Sequence, residues 1–319
     1  MEYELLITHN GTMYQPIVVD EIQWDTERKG VQGKLSFKVL NDSILNFAEG
    51  DQVRLRVDGA NVFFGFVFKK SRDKEGIISV TAYDQLRYLK NKDTYSYSNL
   101  TASEVIKMIA SDFNLNVGVL EDTKFVIESR VEDNQTLFDI IQNALDLTLT
   151  NRGELYVLYD DFGALTLKNI GNMRLPIMID AESGENFDYT TSIDGNTYNI
   201  IKLVRENKDA GKRELYITMD SSNINQWGVL QYYETIDEKT NGKAKADALL
   251  NLYNQKTRNL SIKGAFGDVR VRGGSYVAVS LDLGDMVVNS FLLVEKVSHT
   301  FKENEHTMDL TLRGGNFSV

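Results

Sequence analysis

The side chains in this 319-residue chain whose types and spacing could do chemistry are two aspartate pairs, three histidines and one acidic cluster. Asp160-Asp161 and Asp282/Asp285 could serve as the acid and base of glycoside hydrolysis, which needs two carboxyl groups at a set separation. Each pair flanks or lies within a glycine turn between strands, where aspartate is favoured for backbone reasons. A turn role is therefore expected of both. The histidines are His9, His299 and His306. The last two are seven apart on an expected hairpin, outside the usual zinc spacing, so surface or turn positions are expected. Asp180, Glu182, Asn186 and Asp188 crowd around Gly184, without the spacing or terminal glutamate of an EF-hand loop. They read as a solvated connector rather than a cation site. Tyr95 and Tyr97, two apart, read as one face of an extended strand, with stacking on a glycan or partner as the sharper alternative. The chain lacks cysteine, and it lacks the G-x-S-x-G, Walker A and G-x-G-x-x-G motifs. No catalytic, cofactor-binding or metal-ligating residue is expected, and no cofactor.

Composition narrows the classes further. The formal charge of −11 argues against nonspecific nucleic-acid binding, which depends on basic surface neutralising phosphates. At 42% hydrophobic and 25% charged, the chain has an ordinary globular composition. The apolar run Val62–Phe68 is far too short to span a bilayer. The start, Met1-Glu2-Tyr3-Glu4, has neither the basic residues nor the apolar core of a signal peptide. No membrane insertion is expected. The length exceeds a usual single core, so two or three domains are expected.

The elements that would position these residues form a pattern. Strands are expected at 3–7, 14–24, Leu35–Leu40, Gln52–Val57, Val62–Lys69 and Ile77–Tyr83, separated by turn dipeptides such as Asn10-Gly11 and Asp58-Gly59. Strands this short and this closely spaced suggest a barrel or sandwich over residues 1–92. Thr101-Ala102-Ser103-Glu104 has the form of a capping box, and Val105, Ile106, Ile109 and Phe113 follow at helical spacing. A second helix is expected from about Leu137 to Leu147, then a hairpin through Asp161-Phe162-Gly163. Residues 93–175 thus read as a small inserted α/β domain, and 176–197 as a connector opening at Pro176. Residues 198–319 read as a second β domain carrying a helix near 243–255.

Part of the beginning recurs near the end. Leu35-Ser36-Phe37-Lys38, Gly50-Asp51-Gln52-Val53, Phe64-Gly65-Phe66-Val67 and Ser79-Val80-Thr81-Ala82 are echoed by Leu260-Ser261-Ile262-Lys263, Gly274-Ser275-Tyr276-Val277, Phe291-Leu292-Leu293-Val294 and Asp309-Leu310-Thr311-Leu312. The offset is 225 from Leu35 to Leu260 and 230 from Ala82 to Leu312. Identities are few, and two unrelated β-meanders would also share alternation and glycine turns. The fold class expected is α+β, mainly β: two similar tube-type β-barrel domains with an inserted small α/β domain.

Four stretches carry a family resemblance: Trp24-Asp25-Thr26-Glu27-Arg28, Thr81–Lys90, Val131–Ile141 and Leu158-Tyr159-Asp160-Asp161-Phe162-Gly163. They resemble the XkdQ/YqbQ family of defective Bacillus prophages, baseplate hub proteins of contractile phage tails and phage-tail-like bacteriocins. The resemblance implies a structural protein rather than an enzyme. It implies a homotrimeric ring of pseudo-sixfold symmetry joining the hexameric tail tube to the trimeric central spike. The implied partners are the chain itself, the tube protein or its initiator, the spike, other baseplate proteins and a tape measure passing through the channel. The alternative is a cell-wall-directed hydrolase or a peptidoglycan-binding module. Synthesis in the bacterial cytoplasm and incorporation into a virion baseplate are expected.

Overall fold

In the computed structural model the described residues are 1–42, 44–207, 212–236 and 241–314. Two compact units emerge, one of residues 1–187 with 261–313, the other centred on 188–260.

The larger unit opens with seven strands: β1 Tyr3–His9, β2 Thr12–Tyr14, β3 Val18–Glu27, β4 Lys34–Leu40, β5 Gln52–Val57, β6 Ala60–Arg72 and β7 Ile77–Tyr83. The expected strand 14–24 is divided at Pro16, which offers no backbone donor. Alternation decides the faces: Val53, Leu55 and Val57 of β5 are buried while Arg56 between them is exposed. The strand order is β3-β4-β7-β6-β5-β1-β2. One core takes Ile7 from β1 and Ile22 from β3, near opposite ends of that order, so the sheet curls around its apolar face.

The insert follows as β8 Lys92–Thr101, α1 Ala102–Asp112, β9 Val117–Leu120, β10 Val126–Thr136, α2 Leu137–Arg152, β11 Tyr156–Asp160 and β12 Leu165–Asn169. The Thr101–Glu104 capping box is present in full, and Val105, Ile106 and Ile109 are buried. Helix α2 outruns its expected end at Leu147 and stops where Gly153 takes a left-handed φ of 68°. The α1 and α2 faces share a core with Leu165 and Leu167 of β12.

Residues 176–197 carry more structure than a connector. Strand β13, Arg174–Ile179, pairs in parallel with a later strand, and Pro176 falls where the register shifts between Arg174 and Met178. A proline is tolerated there because the ladder needs no N–H from it. Strand β14 spans Asn186–Ser192.

The smaller unit has β15 Ile200–Asn207, β16 Lys212–Met219, α3 Ser221–Trp227, β17 Gln231–Ile236 and α4 Gly242–Tyr253. Among the described residues its three strands pair with one another, in the order β16-β15-β17. Ala246, Leu249, Leu250 and Tyr253 of α4 pack on Ile201, Leu203 and Ile236. The strands expected to belong to a second barrel over 198–319 thus divide: those before 237 form this separate sheet. The expected end at 319 lies outside the described residues.

The remaining strands are β18 Thr257–Phe266, β19 Tyr276–Asp282, β20 Val287–Lys302 and β21 Glu305–Arg313. Their order is β18-β21-β20-β19-β13, against β4-β7-β6-β5-β1 in the first set. Registers match too. Gln52 faces Phe66 and Val53 faces Gly65, as Tyr276 faces Leu293 and Val277 faces Leu292. A register shift between Val67 and Lys69 recurs between Val294 and Lys296. Gly50 donates to the Val67 carbonyl at 2.8 Å, and Gly274 donates to Val294 at 2.8 Å. Both glycines need positive φ, 93° and 99°. The recurrence in the sequence is therefore a recurrence of strand order, register and bulge. The flanking strand departs from it: β1 runs antiparallel to β5, β13 parallel to β19. The two sets join through antiparallel pairing of β3 with β20, from Ile22↔Phe301 to Glu27↔Lys296.

Candidate functional site: a buried charged junction

Within the larger unit, the first β set, the insert and the second β set meet around two carboxyl groups and one arginine. Asp84 follows β7 and caps a 3-10 helix, Gln85–Lys90. Its Oδ1 accepts from the Leu86 amide at 3.0 Å and its Oδ2 from the Gly33 amide at 2.8 Å. Asp160 ends β11. It accepts from the Gly163 amide at 2.6 Å and from Gln85 Nε2 at 2.9 Å. Gln85 is used on both ends: Nε2 also donates to the Asn116 carbonyl at 3.1 Å, and Oε1 accepts from the Asn116 amide at 3.0 Å.

Arg272 comes from the second set, in the turn before β19. Its guanidinium lies 4.4 Å from the Tyr159 ring centroid and 5.8 Å from that of Trp24, within cation–π range. One Nη donates to the Asp160 carbonyl at 3.0 Å. Beside it the Gly273 amide donates to Thr26 Oγ1 at 3.0 Å. A Cβ on Gly273 would strike the backbone of Glu27 and Arg28. One turn of the second set is thus wedged between β3 and the insert.

Burial raises both acids. The Asp84 carboxyl is pushed well above its usual range, first by desolvation and then by the Asp160 charge. Asp160 is pushed up to about 6 by desolvation, against which its hydrogen bonds and Arg272 act. Desolvation penalises the charged form of a carboxyl. The void among these groups is about 20 Å³, room for a single water and none for a sugar ring. The site can exchange a proton near pH 6 and clamp three chain segments.

The histidines lie close by. His299 is fully buried, against the expected surface or turn position, while His306 is half-buried beside the β20–β21 turn. Trp24 stacks on His299 at 4.7 Å and Phe301 on His306 at 4.3 Å. His299 Nε2 lies 2.9 Å from the Val271 carbonyl and must donate to it. Its Nδ1 then accepts from His306 Nε2 at 2.9 Å. Burial pushes His299 down to about 3 and His306 down to about 4. His9 lies apart, with Nδ1 2.7 Å from Asp51 Oδ2.

The other sequence candidates do local work. Asp180 Oδ1 accepts from Ser183 Oγ and the Glu182 amide. Asp282 accepts from the Gly284 amide at 2.9 Å. Among the described residues no group of three acidic or histidine side chains could hold a metal ion. Tyr95 donates to Asp112 at 2.8 Å, and Tyr97 is buried in the insert core. The Asp160 charge raises Asp84, and the Asp161 charge in turn adds to the rise of Asp160.

Sequence reasoning misses Asp84, Gln85 and Arg272, because nothing in local spacing links residues 84, 160 and 272. A signal exists nonetheless. Trp24, Asp84, Gln85, Tyr159 and Asp160 all lie in stretches that carry the family resemblance, and these stretches converge here.

The YQBQ-like family model matches residues 22–313. The Phage-like element PBSX protein XkdQ of Bacillus subtilis (strain 168) is 30% identical over 317 residues, covering 96% of this chain and 95% of that protein. Among solved structures, the 43 kDa tail protein of prophage MuSo2 from Shewanella oneidensis matches with a TM-score of 0.70 at 12% identity, covering 97% of this chain and 98% of the other. The E. coli c3393 protein, a component of the type VI secretion system with structural similarity to T4 bacteriophage tail proteins gp27 and gp5, matches with a TM-score of 0.59 at 10% identity, covering all of this chain and 79% of the other. At such identities the structural matches speak to the fold, which is mainly β. The family model spans the junction and both β sets from β3 to β21, and the chain belongs to the YQBQ-like family.

Proposed function

We propose that this chain is a structural baseplate hub of a phage tail or tail-like particle. Three copies form a ring, and their six similar β sets meet a hexameric tail tube on one side and a trimeric central spike on the other. The observation that carries this reading is the repeated strand order, register and bulge of the two β sets. A chain with two equivalent faces lets a threefold object present six. Heterologous contacts between copies close into a ring when the rotation allows. The tail-protein names of the relatives and structural neighbours fit the same reading.

The protein has no catalytic task in this reading. The void between its buried acids has no room for a substrate, and Asp180 and Asp282 hold turns. A net charge of −11 suits a channel through which DNA or a tape measure passes without adhering. Its place is the virion baseplate, among tube, spike and other baseplate proteins. The test is native mass spectrometry of the full chain, alone and mixed with the spike protein of its own particle. Three copies per assembly in either sample are expected. A monomer in both refutes the hub.

A further inference from the structure

The two β sets are equivalent in register, yet their outer faces are covered differently. Phe64 in β6 faces Arg54, and Phe291 in β20 faces Ala278, the equivalent position. Phe64 is covered by the tip of the β11–β12 hairpin. Phe162 and Gly163 at that tip have φ values of 50° and 91°, as a two-residue type I′ turn requires. Phe162 packs 5.9 Å from Phe64, and a Cβ on Gly163 would come within 2.6 Å of the Phe64 ring. Arg54 lies over Phe64 and Arg56 over Phe162.

Among the described residues nothing equivalent covers the corresponding face of the second set. Phe291 is 43% exposed, Met178 beside it 57%, and Val287 along the same strand face 69%. Met178 and Phe291 flank Ala278 from opposite sides. Arg174 stands over both Tyr276 and Phe291, at 5.9 and 5.4 Å. Among the described residues its guanidinium has no hydrogen bond and no carboxylate partner. The face thus also carries an arginine over its phenylalanine, here from the flanking strand β13 instead of the directly paired strand, and among the described residues it lacks the cover. An unpaired cation held above an apolar patch, in a chain of net charge −11, selects an occupant bearing a carboxylate as well as an aromatic ring.

We infer that the outer face of β13, β19 and β20 docks a β-hairpin tip of a partner protein that presents an aromatic residue followed by glycine, as Phe162-Gly163 does on the first set, with an acidic residue placed to meet Arg174. The aromatic ring packs on Phe291 and Met178, the glycine lets the turn approach, and the carboxylate pairs with Arg174. The inference needs no ring and stands if the chain proves monomeric.

The probe is a disulfide-cyclised peptide copying residues 156–169, fluorescently labelled and titrated with the full-length chain. Saturable binding is expected, weakened about tenfold or more by Phe291→Ala, a hot-spot loss, and by Arg174→Ala, and left unchanged by Phe64→Ala. Phe291 and Arg174 are exposed, so their substitution leaves the core intact; Phe64 is packed under the hairpin tip, and binding by its variant is measured at a temperature below that variant's own melting transition. Replacing the peptide's own phenylalanine by alanine should abolish binding. Absence of saturable binding at millimolar peptide overturns the inference. So does binding lost in Phe64→Ala but kept in Phe291→Ala, which places the peptide on the first set. A drop in oligomer mass for Phe291→Ala without peptide binding assigns the face to a second copy of this chain and likewise overturns it.

Discussion

Replacing Asp160 by asparagine should change how stability depends on pH, and the size follows from the junction. Burial raises the Asp160 carboxyl from 3.8 to about 6. A raised acid binds its proton more tightly in the folded chain, so stability falls as pH rises through the window from about 4 to about 6. Proton binding tightened about a hundredfold corresponds to about 3 kcal/mol across that window. His299 and His306 act in the opposite sense. Their folded values lie near 3 and 4, so the stability they contribute is present above the unfolded histidine value, about 6.5, and is lost as pH falls. The histidine contribution is common to both proteins and cancels in their difference, whereas removing the Asp160 charge also relieves Asp84, which that charge helps to raise, and adds to the gain in the same sense. The asparagine keeps one acceptor oxygen and cannot ionise, so any hydrogen bond it gives up is an offset that does not vary with pH. Urea unfolding of wild type and Asp160→Asn at half-unit steps from pH 4 to 7.5 gives the difference curve. The variant should gain about 3 kcal/mol relative to wild type between the ends. A flat curve means that the carboxyl titrates normally, and the account of the junction is then wrong.

Two further substitutions probe what holds the parts together. Gly273→Ala would drive a Cβ into the Glu27 backbone. Overpacking of this kind costs about 1–3 kcal/mol, and thermal unfolding should show it, with hydrogen exchange rising in β3 and β20, whose pairing joins the two β sets. Thr101→Ala removes the N-cap of α1 and half of its capping box. A loss of about 1 kcal/mol in denaturant unfolding is expected, and no loss would mean that packing alone sets the start of the helix.

Much of this organisation is legible in the sequence because it is local. Thr101 through Phe113 announce a capped helix, and alternation marks β4 through β7. The repeat is legible through its turn glycines and apolar positions, which the matched bulges anchor. What escapes is long-range. Residues 198–236 look like more strands of the second set, because alternation specifies a half-buried strand and not its neighbours. Only α4 packing on their apolar face sets them apart. Pro176 reads as a boundary, though the parallel β13–β19 pairing accommodates it at a register shift. His299 reads as a surface or turn residue because a neutral imidazole in an aromatic stack leaves no sequence mark. Asp84 and Arg272 cannot be matched from spacing, being 188 positions apart.

The β3–β20 joint has a kinetic meaning as well. If the two sets were separate proteins, their strands would have to find each other at cellular dilution, and wrong pairings would compete. Carried on one chain, their meeting is intramolecular and no longer depends on protein concentration. The contact can then be weak in itself and still be fully occupied. Covalent fusion also fixes stoichiometry at one to one, so each copy is free to diverge. One set could acquire the hairpin cover over Phe64 while the other kept Phe291 open, without any risk of assembling two of the same kind side by side within a subunit.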